Sequence, residues 1–175
     1  FVDDCCWIPG VDTVLRSARM SGLVAQNGST NIVNQHWYVL DTLYVNAYAD
    51  VNATTFEMGE GAVIWVMPGV NFNTMNCLFR SACGDSVWRT VWVDGPTAGF
   101  KSVQDTFRDA ETAVTSHNGG VANLEGDEFR RNYRHFLADS YTLLNGSTFS
   151  GNDFGGGSIL PPFQQAPGPF CGIDL

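Results

Sequence analysis

Apolar and polar residues alternate along much of the first half of the chain, a pattern that predicts β-strands. The predicted strands cover residues 23–26, 29–33, 37–48, 62–67 and 86–93. Asn27-Gly28 separates the first two, and this dipeptide supplies the positive φ angles of a tight hairpin turn. The run from Val63 to Met67 is apolar on both faces, so we expect it to be a covered, central strand.

Apolar residues then recur at helical spacing, which predicts two amphipathic helices. The first covers residues 103–116 and ends at Asn118-Gly119-Gly120. The second covers residues 128–144, where the apolar stripe consists of Phe129, Tyr133, Phe136, Leu137, Tyr141 and Leu144. We therefore expect an α+β fold with a β-rich, antiparallel N-terminal half on which the two helices pack. A jelly-roll-like β-sandwich is the alternative, and no internal repeat is evident.

The last part of the chain differs in composition from the rest. Residues 145–175 contain no Lys or Arg and are rich in Gly and Pro. Such a segment cannot build a core of its own, although it keeps apolar anchors such as Phe154 and Phe163. We expect one globular domain over residues 1–144 and an extended C-terminal arm over residues 145–175, packed on its own body or on a neighbour. A free terminus is the alternative.

Charge is scarce and mostly acidic. Charged residues make up 15% of the chain, and the formal net charge is −9. Because nucleic acid binding needs a basic surface, this balance argues against a nucleic acid partner. No apolar run reaches the 18 or so residues of a membrane-spanning helix, so no membrane span is predicted.

The five cysteines indicate an oxidising compartment and a disulfide-stabilised fold. Cys77 and Cys83 are close enough in sequence to form a local bridge, and Cys5 or Cys6 could pair with Cys171. The fifth cysteine would then be free or would bridge to a second chain. Reduced, buried cysteines are the alternative. No Cys-x-x-Cys is present and the histidines are distant from the cysteines, so no metal site is predicted.

Two further features agree with export. The chain starts at Phe1 without a Met, as a processed form would. Asn27, Asn52 and Asn145 each begin an Asn-x-Ser/Thr triplet, the acceptor pattern for N-glycosylation. We therefore expect a secreted, extracellular glycoprotein.

Two groups of residues are candidate contact sites. Trp88 and Trp92 would share one face of a strand, where they could stack on sugar rings or, alternatively, form part of the core. Arg130, Arg131, Arg134 and His135 would lie on the polar side of the second helix. This cluster is interpreted either as a contact surface for another copy of this acidic protein or as a solvated face with a His135–Asp139 pair.

No catalytic constellation is evident. Gly84-Asp85-Ser86 resembles the serine block of GDSL-type hydrolases but lacks their downstream Asp-x-x-His, so it is interpreted as a turn. No cofactor is predicted, and the chain is not expected to be an enzyme. The leading hypothesis is an exported structural subunit that self-assembles into a filament, coat or similar homo-oligomer. An extracellular module that binds a glycan or another ligand is the second hypothesis, and a small secreted hydrolase is the third.

Overall fold

The chain folds into a parallel β-solenoid of about six turns in a computed structural model, which describes residues 10–139, 147–155 and 171–174. The first ten strands are Thr13–Leu15 (β1), Ala18–Arg19 (β2), Asn31–Val33 (β3), His36–Val39 (β4), Thr42–Val45 (β5), Ala49–Asn52 (β6), Thr55–Met58 (β7), Val63–Val66 (β8), Asn71–Met75 (β9) and Leu78–Ser81 (β10). The next ten are Thr90–Asp94 (β11), Gly99–Val103 (β12), Thr106–Arg108 (β13), Thr112–His117 (β14), Val121–Glu125 (β15), Glu128–Arg130 (β16), Arg134–Asp139 (β17), Thr148–Ser150 (β18), Asp153–Phe154 (β19) and Cys171–Asp174 (β20). One helix, Met20–Asn27 (α1), lies between β2 and β3, and its Leu23 and Val24 pack against the core.

Each turn contributes one strand to each of three sheets. Sheet A consists of β1, β4, β7, β10, β13, β16 and β19, and sheet B of β2, β5, β8, β11, β14, β17 and β20. Sheet C consists of β3, β6, β9, β12, β15 and β18. Neighbouring strands in all three sheets are parallel. The predicted antiparallel α+β fold and the jelly-roll alternative are therefore both wrong.

A row of aromatic rings runs through the interior behind sheet A. One residue from each of five neighbouring strands stacks on the next: the fully buried Phe56, Phe79, Phe107 and Phe129, followed by Phe154, which is 36% exposed at the end of the row. The ring centroids are 4.5, 4.8, 5.0 and 5.0 Å apart. These distances match the spacing of about 4.8 Å between neighbouring strands, so the strand register itself sets the stacking.

A two-residue corner joins sheet C to sheet A and recurs in every turn. Its first residue has a positive φ angle in all six cases: Asn34, Ala53, Asn76, Gln104, Gly126 and Gly151. The residues that follow, Gln35, Thr54, Cys77, Asp105, Asp127 and Asn152, form what we call the corner row. Four corner-row side chains accept the backbone N–H of the corner residue one turn earlier, at 3.3, 2.7, 2.8 and 2.9 Å. The chain therefore does have an internal repeat, but its spacing varies from 19 to 28 residues, which conceals it.

The two predicted helices are strands. Residues 103–116 form the end of β12, β13 and most of β14, and the described residues of 128–144 form β16 and β17. Phe107 points inward from sheet A, Ala110 is buried at the corner and Val114 points inward from sheet B. The corner shifts the two-residue alternation of the strands, so inward residues recur at i, i+3 and i+7, the spacing of an amphipathic helix.

The predicted hairpin turn at Asn27-Gly28 is the end of a helix. Asn27 ends α1, and Gly28 caps that helix with a φ of 69°, so the positive φ belongs to a helix end. Within the predicted arm, the described residues contribute β18, β19 and β20 to the three sheets. The division of the chain after residue 144 stays a prediction.

The predicted bridge between Cys77 and Cys83 is absent, because Cys77 is a free, buried thiol. The extended strand β10 lies between the two cysteines and spans about 13 Å at roughly 3.3 Å per residue. A disulfide needs Cα atoms within about 7 Å of each other. Cys77 forms no disulfide, so the disulfide framework predicted from the sequence is wrong at this position. Cys5 and Cys6 lie outside the described residues.

Candidate ligand-binding groove

Three aromatic side chains line up on the outer face of sheet B. Tyr44 in β5, Trp65 in β8 and Trp92 in β11 occupy the same register position on neighbouring strands. Each lies between two buried apolar residues, as in Leu43-Tyr44-Val45, so strand alternation points the aromatic ring outward. All three rings are half-buried. We call Tyr44, Trp65 and Trp92 the aromatic row.

The aromatic row forms the floor of a groove of about 450 Å³. The Tyr44 and Trp65 ring centroids are 5.8 Å apart and the planes tilt by 36°. At the other end, the His117 ring lies 4.7 Å from the Trp92 ring, with a tilt of 47°. Tyr44 and Trp65 are therefore in ring contact at one end of the groove, and Trp92 and His117 at the other.

Polar groups flank the aromatic floor. Thr42, Arg89, Asp94 and Asn118 contribute to the lining of the groove. Asp94 is the register neighbour of His117, whose Nδ1 lies 3.1 Å from Asp139 Oδ2. One guanidinium and two carboxylates leave the region close to neutral or slightly acidic. The arrangement can therefore combine ring stacking with hydrogen bonds to hydroxyl groups.

The two tryptophans predicted to share a face are separated by a corner of the solenoid. Trp92 belongs to the groove, but Trp88 is fully buried and its Nε1 donates to the Arg108 carbonyl oxygen at 2.6 Å. Trp88 pairs with Ala110 in an isolated bridge before β11 begins at Thr90. The alternation that would place both indoles on one face is interrupted between them.

The predicted cationic cluster does not form one helical face. Arg130 points outward from sheet A, where Glu128 and Asp153 lie 2.7 and 2.6 Å from it. Arg131 lies at the next corner and pairs with Asp109 at 2.8 Å. Arg134 begins β17, and its guanidinium lies 5.1 Å from the ring centroid of Tyr133.

His135 is buried rather than available for contact. Its ring lies 5.7 Å from that of Phe129 and 5.6 Å from that of Phe154. Burial and the nearby Arg130 charge lower the pKa of His135 to about 4, so the ring is neutral at physiological pH. The proposed pairing of His135 with Asp139 assumed a helix and is wrong, since both residues belong to the strand β17.

The predicted glycosylation acceptors and Ser86 lie apart from the groove. Asn27 is exposed at the end of α1, and Asn52 is half-buried on the outer face of β6, while Asn145 lies outside the described residues. Glycosylation of these residues stays a prediction. The Ser86 hydroxyl lies 3.3 Å from that of Ser81. In the described residues, no three His, Cys, Asp or Glu side chains are grouped so that they could hold a metal ion.

Sequence reasoning missed Tyr44 and Trp65. A signal was present, because Leu43-Tyr44-Val45, Ile64-Trp65-Val66 and Val91-Trp92-Val93 all have an aromatic residue between two aliphatic ones. Aligning these triplets would have detected three turns of the repeat.

No protein-family model, no curated protein and no solved structure matches the chain. The helix α1, the one helix among the described residues, is too short to cross a membrane. The function of this chain must therefore be inferred from its own geometry.

Proposed function

We propose that this protein binds a carbohydrate chain in the groove on sheet B. The aromatic row carries this proposal, because Tyr44, Trp65 and Trp92 form a ladder of rings on the outer surface of the solenoid. Large outward aromatic rings are costly to hydrate and are typical of surfaces that bind a partner. Flat sugar rings present C–H groups that stack on such faces.

The dimensions of the row favour an extended ligand. Strands in a sheet lie about 4.8 Å apart, so the three rings cover about 10 Å along the axis, the length of a short oligosaccharide. The ligand would run along the solenoid axis and cross the strands. Each sugar ring would then meet an aromatic side chain from a different turn.

The flanking groups favour a neutral or weakly charged sugar. Thr42, Arg89, Asp94 and Asn118 together offer donors and acceptors for hydroxyl groups. A purely apolar ligand would leave these groups without new partners and would gain less from the site. A strongly acidic chain would be repelled by the net charge of −9.

The test is a glycan array followed by titration calorimetry with the best ligand. We expect Trp65→Ala and Trp92→Ala each to weaken binding by about tenfold or more, since burial of an aromatic ring contributes at least about 1.5 kcal/mol. Tyr48→Ala is the matched control, because Tyr48 is a 46% exposed aromatic residue outside the groove. Circular dichroism would verify that each variant is folded. Absence of glycan binding by the unmodified protein, or equal losses in all three variants, would contradict the proposal.

Self-assembly remains a second candidate function. In the described part of the chain, β1, β2 and β3 each pair with a strand on one side only, at the same end of the solenoid. Backbone N–H and C=O groups at such an end can pair with strands of another copy. Light scattering across a range of concentrations tests this, and a monomer at every concentration would contradict it. Export of the protein is a further proposal and now depends on the acceptor triplets at Asn27, Asn52 and Asn145.

A further inference from the structure

The groove on sheet B has edges of opposite charge, because the strands that form it are parallel. Asp94, His117 and Asp139 occupy the last positions of β11, β14 and β17, so they share one edge. Arg89 lies just before β11 at the other edge and contributes to the lining of the groove. The five steps from Arg89 to Asp94 span about 16 Å of extended chain. A ligand on the aromatic row therefore has a cation on one side and carboxylates on the other.

The backbone of Arg89 is held in place, whereas its guanidinium has no carboxylate partner. Its N–H donates to the Ala62 carbonyl at 2.9 Å, and its carbonyl accepts the Thr112 N–H at 3.0 Å. The side chain is exposed. Among the described residues, no carboxylate forms an ion pair with it within 4.0 Å. Glu60 and Glu111 lie at the same corner one turn earlier and one turn later, and neither pairs with Arg89. Arg89 thus presents an unpaired, solvent-accessible cation beside the aromatic row.

A carboxylate on a sugar ring matches the position of this cation. The planar guanidinium offers paired N–H donors that fit the two oxygens of a carboxylate. In a uronic acid the carboxylate is attached at ring carbon C5, and its equatorial position lies close to the plane of the ring. A ring that stacks on Trp92 would therefore hold its carboxylate at the ring edge, where the long Arg89 side chain can reach it.

We propose that Arg89 selects a carbohydrate with a uronic acid unit and binds the carboxylate of that unit at the edge of the groove where the strands begin. This inference rests on the proposed binding of a carbohydrate to the aromatic row. A chain with a carboxylate on every ring is disfavoured, since further charges would approach Asp94 and the net charge of −9. The selected ligand is an otherwise neutral glycan with an isolated uronic acid.

The test compares glycans that differ only at one hexose, which is neutral in one member of the pair and oxidised to the uronic acid in the other. A glycan array identifies the backbone that binds the whole chain, and titration calorimetry then gives both affinities. We expect the uronic acid member to bind about tenfold more tightly, because charge-assisted hydrogen bonds to Arg89 are added. Its methyl ester, which lacks the charge, should bind like the neutral member.

Substitutions at Arg89 should change the preference and leave stacking intact. Arg89→Gln should lower the affinity for the uronic acid member by about tenfold and that for the neutral member by less than about twofold. Arg89→Lys should retain part of the preference, because it keeps the charge but loses the planar fork. Lys101→Gln is the matched control, since it removes the same charge from an exposed position on sheet C, and it should leave the ratio of affinities unchanged within about twofold.

The outcomes separate this inference from the proposed function. Equal affinity for the two members of a pair, or an equal loss of preference in Lys101→Gln, would refute selection by Arg89 while carbohydrate binding stands. Loss of the preference in Arg19→Gln instead would place the carboxylate at the end of the row, where Arg19 is the register neighbour of Tyr44, and would also refute the proposal. A stronger preference for a sulfated member would exclude the carboxylate. Absence of binding to either member would overturn the carbohydrate site and this inference with it.

Discussion

Substitution of Asp127 by Asn should stabilise this protein at neutral and alkaline pH. Asp127 belongs to the corner row and is 1% exposed, and its Oδ1 accepts the Asp105 backbone N–H at 2.8 Å. Its Oδ2 has no partner among the described residues. Burial, together with the nearby Asp105 carboxylate, raises the pKa of Asp127 from 3.8 to about 7. The folded protein therefore carries a carboxyl group that resists ionisation.

Another residue of the corner row shows how an amide side chain would fit at position 127. Asn152, one turn later, accepts the Asp127 N–H through Oδ1 at 2.9 Å and donates from Nδ2 to the Leu124 carbonyl at 3.0 Å. Leu124 is the register neighbour of Ser102, so the Ser102 carbonyl is the matching acceptor for an amide at position 127. The substitution Asp127→Asn would keep the existing hydrogen bond and supply a donor for that carbonyl.

The expected change in the free energy of unfolding follows from the raised pKa of Asp127. Below pH 3.8 the carboxyl is protonated in both the folded and the unfolded chain, so its contribution does not vary with pH. Between pH 3.8 and about 7 the unfolded chain releases the proton and the folded chain retains it, so stability falls as pH rises. At about 1.4 kcal/mol per pKa unit, the loss above pH 7 is about 4 kcal/mol. An uncharged Asn avoids this loss.

Urea unfolding of both proteins at pH 4 and pH 8 provides the assay. We expect Asp127→Asn to raise the free energy of unfolding by about 2–4 kcal/mol at pH 8 and to change it little at pH 4. The reverse substitution is the control: Asn132 is fully buried, accepts the Ala110 N–H at 2.9 Å and donates to the Phe107 carbonyl at 3.0 Å. Asn132→Asp should destabilise the protein, and more at pH 8 than at pH 4. A loss of stability in Asp127→Asn at pH 8 would refute this reasoning.

Three further predictions concern the core and the corners. Phe107→Ala removes the middle ring of the aromatic stack and should cost about 3–5 kcal/mol in urea unfolding. The exposed Gln104 has a φ of 56°, so Gln104→Gly should stabilise by about 0.5–1 kcal/mol, whereas Gly126→Ala should destabilise by a similar amount. Burial raises the pKa of the Cys77 thiol to about 12, so a thiol reagent should modify Cys77 only when urea unfolds the chain.

Local features of this fold were predictable, but its architecture was not. The apolar run at residues 62–67 predicted a covered, central strand. Val63–Val66 is a central strand of sheet B, but its outer face lines the groove and is only half-buried. The strands are only two to six residues long, and the corner between them changes the phase of the pattern. That phase change made the region from Phe107 to Val114 match a helix better than a strand.

Only one of the three aromatic residues of the groove was a candidate from the sequence, because the phase changes between strands also hide which strands are neighbours. Trp92 was a candidate for stacking on a ligand, and the structure places it in the groove. Its partners Tyr44 and Trp65 are far away in sequence and become neighbours only through the register of β5, β8 and β11. The unequal turn lengths hide this relationship from any fixed-period search.

Within each short strand, the sequence by itself determined which side chains avoid water. Strand alternation places Leu43, Ile64 and Val91 inward and the aromatic row outward, because successive residues of a strand point to opposite faces. Only the tertiary structure decided which strands lie side by side, because parallel pairing joins residues from different turns and leaves no local signal. The groove and the corner row both arise from that stacking. Their residues become neighbours only when consecutive turns are stacked in register.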